Sequence, residues 1–295
     1  MPNPDTVHQP EQTAALALTR RGVPAPPRRA RALDLPGQLL AVAALALAAG
    51  ALVEAGPLGW TSAPVLAGLA ASALAGAGFV AAERRSPDPM LPLGLLRRAA
   101  FRSGTAVGLL INLGFYGQLF VLSLLFQDGR GYSALRAGLA LFPEAALPIA
   151  ASTLSGALMA RTGPRRPMLA GLVIGGAGLL GLALAGPHAG YPLLVAPMAA
   201  AGFGMALTMP AATASVLEAA PADRSGIASG VVNAARQAGG VLGVALLGTL
   251  VSGSFTRGLP VALLVAAAAF GTGAVLVLMG GRGSAERGST DPRPG

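Results

Sequence analysis

The chain has 295 residues and a mass of 29.0 kDa, with 53% hydrophobic residues, 11% charged residues and a mean hydropathy of +0.63, against about 25% charge in an average soluble domain. A water-soluble globule and a soluble enzyme are excluded, and an all-α integral membrane protein is expected. The lack of Cys removes disulfides, thiol nucleophiles and thiolate metal ligands, and His8 and His188 are the only imidazoles, so no metal site and no cofactor are expected; the net charge of +9 comes wholly from 21 Arg that lie mostly between apolar blocks, a distribution that sets membrane topology and argues against nucleic acid as a partner.

Residues 1–35 form a Pro- and Arg-rich leader, expected to be disordered and cytoplasmic. Its one apolar stretch, Ala14 to Leu18, falls short of the roughly 7–15 residues of a signal-peptide core. Eight apolar blocks follow, at approximately 36–56, 63–82, 103–127, 137–160, 168–185, 193–217, 226–252 and 260–279. Most reach the roughly 17–25 residues that a helix needs to cross a bilayer. A β-barrel would need polar and apolar residues in alternation, whereas the runs from Ala41 to Ala51 and from Val261 to Phe270 are apolar on every face.

With the amino terminus on the cytoplasmic side, eight crossings place 17 Arg in inner segments and three, Arg130, Arg136 and Arg257, in outer ones, with Arg236 inside the seventh block. That asymmetry predicts a multi-pass protein of the cell membrane, plasma or inner, with both termini cytoplasmic. The segment 83–102, basic at both ends with Leu91, Leu93, Leu95 and Leu96 between, reads as an amphipathic linker lying against membrane lipid. It separates a helix pair at 36–82 from a six-helix bundle at 103–279, with 280–295 as a cytoplasmic tail.

Polar residues within apolar blocks are the candidates for function, because an ionisable or amide group in hydrocarbon must face protein or water. In block three these are Asn112, Tyr116 and Gln118, read either as a polar-lined path or as structural hydrogen bonding. Block four carries Pro143, Glu144 and Pro148, with Glu144 about 10 Å below the outer end by helix rise. Glu144 is a candidate for a proton path, or the residue of an outer vestibule paired with Arg136 or another polar group. The turn through Gly156, Arg161, Gly163, Arg165 and Arg166 fixes two helices at the inner surface. Gly202, Gly204 and Pro210 in block six suit close packing or bending. In block seven Ser225, Ser229, Asn233, Gln237 and Gly240 recur at helical spacing as one polar stripe. Ala235, Gly239 and Gly243 form a separate ridge for close packing, and Arg236 either gates the inner side or snorkels and pairs with Asp223.

At these motifs the chain resembles the drug:proton antiporters of the major facilitator superfamily, in their fourteen-crossing subfamily. The likeness runs from Asp34-Leu35-Pro36-Gly37 to about Met279. It is carried by Gly131-Tyr132-Ser133-Ala134-Leu135 with Pro143, by Gly156 through Arg166, and by Gly226-Ile227-Ala228-Ser229-Gly230 with Asn233, Arg236-Gln237 and Gly239-Gly240. Where the family commonly has an acid before the first arginine of the basic turn, this chain has Ala160. The resemblance implies that blocks one and two are the extra central pair and blocks three to eight the carboxy-terminal half, with the first six crossings outside this chain, as in a truncated gene, a shifted start or a split transporter. It also implies multidrug or small-molecule efflux driven by proton exchange. Asn112, Tyr116, Gln118 and Asn233 would face substrate, and a separate amino-terminal half would be a partner. The other reading is a membrane assembly protein that transports nothing itself.

Overall fold

The structure, a computed structural model, describes residues 34–86 and 94–288; the leader up to residue 33, residues 87–93 of the linker and residues 289–295 of the tail lie outside the described residues. Among the described residues all regular structure is helical. The helices are α1 (Leu35–Leu58), α2 (Ala63–Arg85), α3 (Ala99–Leu124), α4 (Ala134–Ala140), α5 (Phe142–Ala146), α6 (Pro148–Thr162), α7 (Arg165–Ala185), α8 (Tyr191–Ala219), α9 (Ser225–Ser252) and α10 (Phe255–Gly288). Short 3-10 turns at Leu95–Arg97 and Ala222–Arg224 precede α3 and α9, and the last turn of α3 widens into a π turn over Leu125–Gly129.

Seven of these helices are long and apolar enough to cross a membrane, and α4 with the continuous run Phe142–Thr162, bent by 52°, makes an eighth if taken as one span. In hydrocarbon a helix closes its own backbone hydrogen bonds, which is why such apolar runs fold this way. Asp34 starts α1 by accepting a 3.0 Å hydrogen bond from the Gly37 amide, with Pro36 in the first turn. The break in the fourth block has a local cause. Leu141 and Leu147 sit at ψ −5° and −16°, outside ideal helix, and Pro143 and Pro148 each open a new helix in a first turn where no N–H is needed.

The core is built where α3 meets α9 and α10, and where α7 meets α8 and α10. Val107, Ile111, Leu122, Leu172, Leu179 and Phe270 are each at most 1% exposed there. Between α3 and α9 the approach is set by glycine. A side chain at Gly239 would collide with the Leu109 carbonyl and one at Gly243 with that of Leu113, so the expected small-residue ridge brings the two backbones together. The α1–α2 pair is joined by a 2.8 Å hydrogen bond from the Ser72 hydroxyl to the Ala44 carbonyl. α1 also leans on α9, where the Thr249 hydroxyl lies against both the Leu52 carbonyl of α1 and the Ala245 carbonyl of its own helix.

Candidate functional site

The residues of α3 divide between two faces. Asn112 and Gln118 are buried, at 2% and 0% exposure, while Tyr116 is 42% exposed. Asn112 spends its amide within its own helix, donating to the Gly108 carbonyl at 2.8 Å. Gln118 reaches another helix: its Nε2 donates to Oε1 of Glu144 on α5. Glu144 is thus a buried carboxyl, 2% exposed and hydrogen-bonded by an amide. Among the described residues its Oε2 and the Oε1 of Gln118 have no partner, and a buried polar atom without one is costly. Arg136 does not reach Glu144. Its guanidinium lies 4.2 Å from the ring centre of Tyr132, while Arg130 stacks on Phe126 at 5.3 Å and donates to the Ala189 carbonyl at 2.6 Å.

The short helix α5 that carries Glu144 is seated from the other side by Gly202 of α8, since a side chain there would strike the Glu144 carbonyl. Gly204, two residues on and so on the opposite side of α8, makes the corresponding close approach to α7 at Gly171 and Gly175. Both glycines serve close packing in a helix that runs unbroken from Tyr191 to Ala219 through Pro197 and Pro210.

On α9 the sequence stripe faces outward. Ser225, Ser229, Asn233 and Gln237 are all exposed, whereas Ala228, Val232, Ala238 and Gly239 behind them are buried. The outward faces of α3 and α9, together with Ala49 and Val53 of α1, line an elongated cavity of about 880 Å³. Tyr116 and Phe120 supply its aromatic wall, and each ring lies over a glycine of α9, Gly240 and Gly248 respectively, where a side chain would crowd the ring. Gln237, Ser252, Thr249 and Asp128 bring polar side chains to a mostly apolar lining. Such a surface, mostly apolar with a few placed polar groups, suits a small apolar or amphiphilic molecule. Of the four residues read from sequence as facing substrate, Tyr116 lines this cavity. Asn233 is exposed one turn from Gln237 but is not in the lining, and Asn112 and Gln118 point into protein contacts. Phe120 and the α1 residues went unread because an exposed ring and a small apolar helix carry no mark in sequence; the glycines beneath the rings were the available signal.

Arg236 is half-buried with its aliphatic stem over Gly108 of α3, and among the described residues its Nε has no hydrogen-bond partner; the side chain of Asp223, its expected partner, lies outside the described residues. The basic turn between α6 and α7 closes on Gly163, whose φ of 72° favours glycine and whose amide donates to the Met159 carbonyl at 2.9 Å. Arg161, Arg165 and Arg166 are exposed there, and Arg165 donates to the Leu278 carbonyl of α10 at 3.1 Å, tying the turn to the last helix. Gly156 has open space around it. Among the described residues no three His, Asp or Glu side chains are grouped as metal ligands.

A sequence model of the Major Facilitator Superfamily matches residues 13–244 and, in an overlapping second match, 145–292. The chain is 33% identical over 235 residues to the "Methylenomycin A resistance protein" of Streptomyces coelicolor, covering 80% of this chain and 50% of that one. It is 36% identical over 224 residues to "Multidrug resistance protein Stp" of Mycobacterium tuberculosis, covering 76% and 42%. Against the "Tetracenomycin C resistance and export protein" of Streptomyces glaucescens it is 31% identical over 225 residues, again covering 76% and 42%. The chain spans about half the length of the curated relatives it matches.

Proposed function

The chain belongs to the Major Facilitator Superfamily, a family of transporters and not of enzymes, and from that membership we propose that it forms the carboxy-terminal part of a proton-coupled exporter of drugs or other small apolar molecules. The observation that carries the proposal is the cavity lined by Tyr116, Phe120 and Gln237, which opens on the outward faces of α3 and α9. A pathway at the centre of such a transporter needs a second wall, and alternating access rocks two six-helix halves about a site between them. In this reading α3 to α10 are one half, α1 and α2 are the extra central pair, and a six-crossing amino-terminal half supplies the other wall. The relatives' names, two of them resistance proteins and the third a resistance and export protein, support an efflux direction.

The arginine asymmetry supports an orientation with the basic turn at Arg161–Arg166 and both termini cytoplasmic. Glu144, buried on a broken span and held by Gln118, is the carboxyl we assign to proton exchange. The second reading is a membrane assembly partner that transports nothing itself, and one experiment separates the two. Proteoliposomes containing the purified chain, with and without a co-reconstituted amino-terminal half from a relative, are given a pH gradient and a fluorescent lipophilic dye. Export predicts gradient-driven dye movement when both halves are present, lost on Tyr116→Ala or Glu144→Gln. Movement that neither substitution alters would overturn the site, and no movement with both halves present would favour the assembly reading.

A further inference from the structure

At the arginine-rich end of the bundle the first turns of α3 and α7 meet the last turns of α8 and the α10 segment around Val277, enclosing a second cavity of about 420 Å³. It is separate from the one assigned above: the two share no lining residue. Among the described residues its walls carry one cation and one anion, Arg165 and Glu218, with no ion pair joining them; Arg165 instead spends one donor on the Leu278 carbonyl at 3.1 Å. A guanidinium has five N–H donors, so most of its capacity remains. Two hydroxyls also line the cavity. Ser103 is 9% exposed and donates to the Ala100 carbonyl at 3.2 Å, and Ser215, at 8% exposed, makes no hydrogen bond among the described residues. Beside this polar pocket Val275, Leu278 and Met279 stand 52%, 50% and 64% exposed on the same stretch of α10.

We propose that this cavity binds the headgroup of a membrane lipid that bears both a phosphate and a primary ammonium, as phosphatidylethanolamine does. The phosphate meets Arg165 and the Ser215 hydroxyl, the ammonium meets Glu218, and the acyl chains run along the exposed apolar side chains of α10. Opposite charges that share a pocket without touching are complementary to a ligand with opposite charges of its own. A purely anionic lipid leaves Glu218 unanswered and repelled. A choline headgroup offers no N–H to it, since three methyl groups replace the donors. The inference rests on the membrane fold and stands whether or not the export reading holds.

The test is native mass spectrometry of the purified 295-residue chain released from detergent with equal amounts of phosphatidylethanolamine, phosphatidylcholine and phosphatidylglycerol. We expect ethanolamine lipid to be retained about tenfold better than either of the others, a difference of about 1.4 kcal/mol. Glu218→Gln should abolish the preference for ethanolamine over choline, and Arg165→Gln should lower retention of both. Equal retention of the three lipids by the unaltered chain overturns the proposal without recourse to any variant, and so does an ethanolamine preference that survives Glu218→Gln. Soluble glycerophosphoethanolamine is the control for source: competition by the bare headgroup at the lipid's own concentration would make the occupant a water-soluble zwitterion and would equally overturn a lipid site.

Discussion

α1 and α3 are similarly oily and differently packed. Their most apolar windows have mean hydropathies of 2.1 and 1.9, yet 11% of the α1 window is buried against 50% for α3, and α2, at 1.9, reaches only 6%. Hydropathy places a helix in lipid; it does not decide what the helix touches there, because a neighbouring helix and a lipid tail are equally apolar. What separates α3 is register. Leu109 and Leu113 present carbonyls where α9 presents Gly239 and Gly243, and Gly117 in turn faces the Gly243 carbonyl at 2.7 Å from where its own Cβ would stand. In α1 and α2 the close approaches, Gly56 to Ser252, Gly68 to Ala51 and Gly78 to Leu40, are first to side-chain atoms and not to a facing carbonyl, and Gly50 and Gly76 meet nothing within 4 Å. Small residues act in pairs of helices, never alone.

That contrast can be broken at its strongest point. Gly243→Leu should disrupt the α3–α9 seam, at a cost of about 3 kcal/mol or by loss of folded protein altogether, whereas Gly76→Leu on α2 should shift thermal stability in detergent hardly at all. Comparable losses from both would show that the seam is not set by glycine. Next in size is Gln118→Leu, which strips the buried Glu144 of its hydrogen bond and should cost about 1–3 kcal/mol in an unfolding titration. Pairing it with Glu144→Gln in a double-mutant cycle should give a non-additive result, since the two side chains share one bond. The smallest effect is expected at the edge of the comparison. Thr249→Val removes the hydroxyl that lies against the Leu52 carbonyl and should cost about 0.6 kcal/mol, read as faster backbone exchange in α1 and not in α3.

The hydrophobic blocks were legible residue by residue because apolar runs have one physical meaning at that length. All eight blocks overlap described helices, and the small-residue ridge of α9 was read from spacing alone. The helices extend beyond the apolar cores: α3 begins at Ala99 and α10 at Phe255, since first turns tolerate polar residues and proline. The break around Glu144 was marked by Pro143 and Pro148, but its partner was not. Gln118 lies 26 residues away on another helix, and only the tertiary arrangement of α3 and α5 brings the amide to the carboxyl, while the nearer candidate, Arg136, stacks on Tyr132. The stripe on α9 was visible as a period; that Gln237, and not Asn233, reaches the cavity depends on where Tyr116 and α1 stand.

The central claim is that the polar face of α9 borders a water-accessible pathway while the apolar flanks face lipid. Because the chain has no Cys, single substitutions can report it without background. Gln237→Cys in the cavity and Val173→Cys on the exposed flank of α7, 62% exposed, are compared for reaction with a small hydrophilic maleimide in membranes. The account predicts fast labelling at 237, slowed by a transported dye, and negligible labelling at 173; equal reactivity at the two positions, or protection at neither, would contradict it.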